Sequence, residues 1–145
     1  MASVGSDTGT ILVVVKAMGC VLNGINAVHA PWMEEALIFG AGPMGLLMGM
    51  ALRAQGVSKV AFADISENRL ALAAGFDFEA VASGSANLDK WQSRADLVVE
   101  ATGVPAVAAK LTSYMANGGK GLYFGVCPSY ARIEISPFEV FRRQL

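Results

Sequence analysis

Apolar positions along the chain follow two spacings. Between residues 17 and 30 they recur every three or four residues and stop at Pro31, which predicts an amphipathic helix. Beyond Pro31, short apolar runs alternate with segments rich in helix-forming residues, often separated by glycine or proline. This alternation predicts strands at 36–39, 59–64, 78–82, 95–101, 120–126 and 132–135, and helices at 44–55, 66–74, 105–115 and 137–145.

The order of these elements predicts the fold class. Strands that alternate with helices are typical of an α/β protein with a parallel sheet and right-handed crossovers. We therefore expect a doubly wound, Rossmann-type parallel sheet, and at Leu145 the chain stops before a sixth strand. We assign residues 17–145 to this domain and residues 1–16, which begin with a polar stretch, to a loose leader.

The composition is unusually apolar for a small domain. Hydrophobic residues make up 54% of the chain and charged residues 16%. Three causes are open: a sheet covered by helices on both faces, a surface for a missing partner, or a membrane segment. The uncharged stretch 36–52 contains Gly40, Gly42 and Pro43 and is shorter than the ~20 residues of a spanning helix. We therefore expect no membrane segment.

Charge and cysteine content bear on the possible partners and on the cellular location of the protein. The net charge is −1 and no basic cluster is present, so we expect no nucleic-acid partner. The start of the chain lacks the basic residues and the long apolar core of an export signal. Cys20 and Cys127 lack zinc-ligand spacing, and we interpret them as buried thiols in a reducing cytoplasm.

A glycine-rich turn carries the candidate chemistry. Residues 40–45, GAGPMG, fit the pattern G-x-G-x-x-G, follow a predicted strand and open a predicted helix. Gly40 would permit a tight turn, Gly42 would let a pyrophosphate approach the backbone, and Gly45 would let the helix pack closely on the strand. Pro43 suits the first helical turn, where its missing N–H would have no partner. The pattern predicts a dinucleotide-binding site.

Asp64 favours NAD over NADP as that dinucleotide. It stands 19 positions after Gly45 at the end of the next predicted strand, where a carboxylate accepts hydrogen bonds from an adenosine ribose diol. A 2′-phosphate at about 4 Å would be repelled by roughly 4 kcal/mol per unit charge at an effective dielectric of 20. Arg69 leaves alternatives open: it lies over the ribose or adenine, it partly offsets Asp64 and admits NADP, or it is a solvated helix residue.

Five ordered blocks of sequence resemble a known family. They are ALIFGAGPMGLL, ADISENRLALA, DLVVEATGVP, NGGKGLYFGV and ARIEISPFEVFRRQL. Over residues 17–145 the chain resembles the zinc-containing medium-chain dehydrogenases, nearest to the sorbitol, threonine and polyol dehydrogenases.

The resemblance implies which residues hold the cofactor. In that family the position of Met44 contacts the cofactor, and those of Asp64 and Arg69 hold the adenosine ribose. The positions of Thr102 and Gly103 line the adenosine side. The turn at Phe124, Gly125 and Val126 approaches the nicotinamide.

The chain also departs from the family pattern. No segment matches the zinc domain that precedes this region in the family, and residues 16–18, KAM, stand where polyol relatives carry Glu-Pro-Leu. Residues 32–34, WME, replace Pro-Gly-Asp, and residues 1–16 resemble nothing in the family. We interpret His29 as a capping or surface residue and Cys127 as a buried thiol, so we assign no catalytic residue and no metal ligand.

Three functions remain open. The leading hypothesis is an NAD(H)-binding domain of an oxidoreductase that is inactive alone, because alcohol oxidation also needs a group that handles the hydroxyl proton. The second is half of an enzyme that a separate zinc-domain chain completes in trans. The third is a non-enzymatic NAD(H) sensor or a partner-binding fragment. The unpaired edge of strand 120–126 predicts a homo-oligomer or a missing zinc-domain partner.

Overall fold

The computed structural model describes the backbone of residues 5–145 and the side chains of residues 9–145. Within this part of the chain, each strand is separated from the next by one or two helices. The strands are β1 (Glu35–Phe39), β2 (Lys59–Asp64), β3 (Glu79–Ala82), β4 (Ala95–Glu100) and β5 (Met115–Tyr123). The helices are α1 (Gly5–Val28), α2 (Pro43–Ala54), α3 (Glu67–Gly75), α4 (Ala86–Asp89), α5 (Pro105–Ala108), α6 (Leu111–Tyr114) and α7 (Pro137–Arg143).

The strands form one parallel sheet in the order β3-β2-β1-β4-β5. The chain starts at the central strand and winds outwards first to β3 and then to β5, which is the doubly wound arrangement. Neighbouring residues of β1 face opposite sides: Ile38 packs in the core that includes α1 and α2, whereas Leu37 packs with Trp91 and Leu111. Cover on both faces explains the continuous apolar runs, and the predicted fold class is confirmed.

The first helix corrects the prediction of a loose leader. α1 begins at Gly5, so residues 5–16 are helical and continuous with the helix predicted over 17–30. Its C-terminal half packs in the core, whereas the large side chains at 11–15 are 51–69% exposed. A helix adds one hydrogen bond for each residue it gains, so it can extend beyond the part that the core stabilises. Residues 1–4 of the predicted leader lie outside the described residues.

α1 also bears on the expectation that no membrane segment is present. The span Gly9–Val28 is long and apolar enough to cross a membrane by length and composition, although core helices of soluble proteins and export signals pass the same test. The stretch 36–52, considered above as the candidate span, instead contains β1, the glycine-rich turn and most of α2. That the domain avoids membranes therefore stays a prediction.

Two predicted elements after β4 differ from the structure. The helix predicted over 105–115 divides into α5 and α6, because the hydrogen bonds tighten to a three-residue spacing where the N–H of Lys110 donates to Val107 O. The strand predicted over 132–135 does not form. The Arg132 guanidinium instead donates to two backbone carbonyls of its own loop, which holds the segment in an irregular conformation.

The last strand starts earlier than predicted. β5 spans Met115–Tyr123, where the sequence predicts 120–126. Its register against β4 shifts between Ala95 and Leu97, so that residues 116–119 form a bulge. This bulge contains the Asn-Gly-Gly segment that follows the predicted helix 105–115, and the last three predicted strand residues form the turn after β5.

β5 is one edge of the sheet in the described part of the chain, and α7 packs beside its start. The Arg143 guanidinium is buried there and donates to the carbonyl O of Thr112 at 2.9 Å, to that of Met115, and to Asn117 Oδ1 at 3.3 Å. The final helix is thus anchored over the first residues of the edge strand.

A cluster of charged and aromatic side chains closes the end of the sheet where the strands begin. The Trp91 ring is buried and lies 5.1 Å from Lys59 Nζ and 4.8 Å from Arg94 Cζ, and its indole N–H donates to Glu79 at 3.3 Å. Arg94 also donates two hydrogen bonds, of 2.6 and 2.7 Å, to the Glu35 carboxylate. These bonds favour the charged carboxylate and lower the pKa of Glu35 below its ordinary value.

Candidate functional site

The carboxyl ends of β1, β2 and β4 surround a cleft. Because β1 lies between β2 and β4, this is the point where the chain changes direction across the sheet, and open α/β sheets bind ligands at such points. A cavity of about 440 Å³ occupies the cleft. Its lining brings together predicted site residues from the glycine-rich turn, from β2 and α3, and from the loop after β4: Gly40, Gly42, Pro43, Met44, Gly45, Asp64, Arg69 and Thr102.

The three glycines of the turn have different surroundings. Gly40 has φ +104°, a conformation that side chains rarely allow. A Cβ on Gly45 would lie 1.9 Å from the carbonyl O of Gly40, so α2 packs directly against the turn. A Cβ on Gly42 would meet no described protein atom within 4 Å. Since Gly42 also lines the cavity, its backbone is open to a ligand.

α2 begins at this turn. Gly42 caps the helix without a side-chain hydrogen bond, and Pro43 is its first residue. The N–H groups of the first turn have no acceptor within the helix, and the aligned peptide dipoles give this end a partial positive charge. The start of this twelve-residue helix can therefore stabilise an anion in the cavity.

The Asp64 side chain connects β2 to the glycine-rich turn. Its Oδ2 accepts a hydrogen bond from the N–H of Ala41 at 2.8 Å, and its Oδ1 accepts one from the N–H of Ser66 at 2.9 Å. The Asp64 side chain is 4% exposed, whereas that of Arg69 is 59% exposed with Nη1 at 3.8 Å from Asp64 Oδ2. An ion pair with one exposed partner contributes at most about 1 kcal/mol. The carboxylate is held by the backbone bonds, and Arg69 lies beside it in the cavity wall.

A second cavity, of about 490 Å³, adjoins the first. Both linings include Met44, Ala101 and Thr102. The second lining adds Cys20 of α1, which the sequence did not indicate, and the predicted turn after β5: Phe124, Gly125 and Val126. Cys20 is exposed and Cys127 is partly exposed, so the expectation that both thiols are buried is wrong. Gly103 belongs to neither lining. Its φ is +71°, and a Cβ there would lie 2.6 Å from the carbonyl O of Val126, so it packs between the two loops.

A buried carboxylate that sequence reasoning missed lies beneath the loop shared by both cavities. Glu100, the last residue of β4, is 0% exposed. Its Oε1 accepts hydrogen bonds from the N–H of Thr102 at 2.6 Å, from the N–H of Gly103 at 2.9 Å, and from the Thr102 hydroxyl. Its carbonyl O accepts from the N–H groups of Phe124 and Gly125. The signal that could have found it is an acidic residue at the end of the apolar run ADLVVE.

Comparison with known proteins places the chain in a family. Residues 2–143 match the family model described as glucose dehydrogenase C-terminus. The chain is 40% identical over 146 residues to D-altritol 5-dehydrogenase of Agrobacterium fabrum (strain C58), a match that covers 98% of this chain and 44% of that protein. The family match includes nearly all of residues 1–16, so the expectation that this segment resembles nothing in the family is wrong.

Solved structures share the fold. 2R,3R-butanediol dehydrogenase from Bacillus subtilis matches with a TM-score of 0.79 at 22% identity, over 90% of this chain and 39% of that one. A protein described as a zinc-binding dehydrogenase from Sinorhizobium meliloti 1021, solved bound to NADP, matches with a TM-score of 0.78 at 24% identity, over 88% and 40%. The chain thus spans less than half the length of these relatives. It belongs to the glucose dehydrogenase C-terminal family, within the zinc-containing alcohol and polyol dehydrogenases.

Proposed function

We propose that this oxidoreductase domain binds a nicotinamide dinucleotide in the two adjoining cavities and prefers NAD(H) to NADP(H). The observation that carries the proposal is the open backbone at Gly42, beside the start of α2 and in the same cavity as Asp64. A pyrophosphate suits this place because unpaired N–H groups and the helix dipole favour an anion. A ribose with a free 2′-hydroxyl suits Asp64, whose carboxylate accepts hydrogen bonds.

The lining residues suggest the direction of the dinucleotide. The adenosine half would occupy the first cavity, beside Asp64 and Arg69. The nicotinamide half would occupy the second, against the turn at 124–126. Met44 and Thr102 belong to both linings and would flank the middle of the molecule. Mostly apolar walls with a few polar groups are typical of such cofactor sites.

Arg69 supports an alternative choice of cofactor. Its guanidinium lies 3.8 Å from Asp64 Oδ2, close enough to offset part of the negative charge that opposes a 2′-phosphate. The Sinorhizobium meliloti protein with the same fold was solved with NADP. The exposure of Arg69 favours NAD, because a solvated cation offsets a buried carboxylate only weakly.

We further propose that the domain binds the cofactor without oxidising alcohols by itself. The dinucleotide supplies the hydride acceptor, and the residues of this chain would bind and orient it. The lining of the second cavity contains no carboxylate, imidazole or amine that could accept the substrate hydroxyl proton. Among the described residues, no three His, Cys, Asp or Glu side chains converge. Activity would then depend on a zinc-domain partner that docks at this cleft.

The substitution Gly42→Ala tests the binding proposal. The added Cβ meets no described protein atom, and the φ of −73° suits alanine, so the stability of the domain should not fall. Affinity for NADH, measured by calorimetry with NADPH in parallel, should fall roughly tenfold because the methyl group occupies the space of the pyrophosphate. Gly75→Ala, at the end of α3 and also in open space, is the matched control and should change neither quantity much. Binding of neither cofactor by the unmodified domain would refute the proposal.

A further inference from the structure

We infer that Glu100 is a positioning residue of the cleft: its buried carboxylate fixes loop 101–104 against turn 124–126 and makes the Thr102 hydroxyl an acceptor towards the ligand. The inference about the ligand rests on the proposed function, whereas the inference about the two loops can be tested without any ligand. Both loops contribute to cavity linings, so their relative position sets the shape of the site.

The side chain of Glu100 holds the first loop. Oε1 accepts two backbone N–H groups and one hydroxyl, all from the next three residues, as described above. Hydrogen bonds to an ionised carboxylate are stronger than those between neutral groups. A loop that begins at a strand end and is closed by three such bonds has little freedom to change its backbone conformation.

The main chain of Glu100 holds the second loop. Its carbonyl O accepts the N–H of Phe124 at 2.9 Å and that of Gly125 at 2.7 Å. A Cβ on Gly125 would lie 2.3 Å from the N of Gly103 and 2.5 Å from Glu100 Oε2, so the two loops meet backbone to backbone around the carboxylate. One residue therefore fixes both loops.

The second carboxylate oxygen of Glu100, Oε2, lies in a surrounding that does not favour a carboxylate. Within the described part of the chain, Glu100 Oε2 is buried and has no hydrogen-bond partner. A buried polar atom without a partner costs stability, and a group that served only the fold would gain from a better partner or a smaller, uncharged side chain. The bonds that Oε1 makes to the loop lining the cleft offset this cost.

These hydrogen bonds also determine whether the Thr102 hydroxyl acts as a donor or an acceptor towards a ligand. Its hydroxyl donates its single hydrogen to Glu100 Oε1, and its oxygen accepts the N–H of Val104 at 3.0 Å. A hydroxyl has one donor and two acceptor positions, so one acceptor position remains. Thr102 lines both cavities. Its hydroxyl can therefore only accept a hydrogen bond from a bound ligand, and the ligand group must be a donor, such as a ribose hydroxyl or the carboxamide N–H.

Hydrogen exchange of the unliganded domain tests the loop contacts. In Glu100→Ala, the amides of Thr102 and Gly103 should exchange at least about tenfold faster, since they lose a charged acceptor. Amides within β4 should keep their protection. Glu100→Gln, which retains an acceptor oxygen, should restore most of the protection. Equal exchange at Thr102 and Gly103 in all three proteins would overturn the inference, whether or not the domain binds a dinucleotide.

Ligand titration tests the consequence for the site. Glu100→Ala should weaken NADH binding about tenfold and AMP binding less, because AMP contacts loop 101–104 in the first cavity but does not reach turn 124–126. Val99→Ala is the control: the neighbouring residue packs in the core on the opposite face of the sheet, and its truncation lowers stability while the hydrogen bonds of Glu100 remain. Equal losses for NADH and AMP, or a similar pattern in Val99→Ala, would show a structural effect only and overturn the positioning role. If the unmodified domain bound neither ligand, the proposed function would fail instead.

Discussion

The backbone N–H of Ala41 donates to Oδ2 of Asp64 across 2.8 Å. The carboxylate proposed to recognise the ribose therefore also ties the glycine-rich turn to the end of β2. Its charge and its hydrogen-bonding capacity can be separated by substitution, because asparagine retains an acceptor oxygen at nearly the same position and serine does not reach it.

Asp64→Asn should narrow the preference for NADH over NADPH, with a smaller loss of stability than Asp64→Ser. The repulsion between the carboxylate and a 2′-phosphate disappears, whereas the amide oxygen still accepts one of the two backbone N–H groups, of Ala41 and Ser66, that the carboxylate accepts. Asp64→Ser should narrow the preference similarly and also lower the free energy of unfolding by about 1–3 kcal/mol, since the Ala41 N–H loses its partner. Parallel calorimetric titrations and urea unfolding measure the two effects.

Glu67→Gln, in the first turn of α3, is the control. Tighter binding of NADPH by the unmodified domain would contradict the role given to Asp64.

Gly45→Ala should destabilise the domain without any involvement of ligand. The added Cβ would lie 1.9 Å from the carbonyl O of Gly40, and backbone on both sides must move to relieve the clash. Overpacking of this kind costs about 1–3 kcal/mol, occasionally more, which urea unfolding would detect. Gly42→Ala, three residues earlier, should unfold like the unmodified domain. If the two variants unfolded alike, the close packing of α2 on the turn would be disproved.

The ion pair of Glu35 with Arg94 should make stability depend on pH. The hydrogen bonds from Arg94 lower the pKa of Glu35 in the folded state below the ordinary value of 4.5. Its contribution is therefore fully present above about pH 4.5 and disappears as the pH falls through the lower folded value. Glu35→Gln should lower the free energy of unfolding by about 0.5–1 kcal/mol at pH 7, and the difference from the unmodified domain should shrink towards pH 3.

Glu34→Gln, an exposed neighbour, is the control. A difference that stayed constant across this pH range would argue against the ion pair.

Arg143→Ala should loosen α7 and increase association through the β5 edge. The guanidinium satisfies two carbonyl groups and one amide oxygen at the start of the strand, and loss of a charged hydrogen bond costs about 1.5–3 kcal/mol. An edge strand with less cover is freer to pair with a second copy. Arg142→Ala, which removes an exposed partner of Glu139, should change stability much less than Arg143→Ala. Sedimentation velocity over a range of concentrations compares the proteins. Monomeric behaviour of all three would contradict association through this edge.

The purified domain should oxidise no polyol or simple alcohol, with or without added zinc. Among the described residues, those that line the cavity proposed for the nicotinamide include no carboxylate, imidazole or amine. A coupled assay of NADH formation, run alongside a complete dehydrogenase as positive control, measures this directly. Zinc-dependent turnover that persists through stringent purification would overturn it.

The elements that sequence predicted well are those whose position leaves few choices of residue. Leu37 and Ile38 face opposite cores, so both had to be apolar, and the run that results marks a buried parallel strand. Gly40 has a backbone that side chains disfavour and Gly45 has no room for one, so the turn motif could be recognised.

The features that sequence missed depend on contacts without a local spacing. The first half of α1 contacts little of the core, and its consecutive apolar residues at 11–15 show no helical period. The Asn-Gly-Gly segment does mark a turn, but that turn is a bulge inside β5. An acidic residue at the end of the apolar run ADLVVE marks Glu100, but no pattern around it reveals its contact with a turn more than twenty residues further along the chain.

The positions of Trp32 and Trp91 separate two optical signals. Trp91 is buried at the end of the sheet where the strands begin, Trp32 is 53% exposed just before β1, and neither lines a cavity of the cleft. A reduced nicotinamide in the cleft would quench indole emission through space, by energy transfer, whereas AMP would leave the emission unchanged. Unfolding instead moves Trp91 into water and shifts its emission to longer wavelength. In a single sample, the intensity of tryptophan emission therefore reports occupancy of the cleft, and the wavelength of its maximum reports whether the domain is folded.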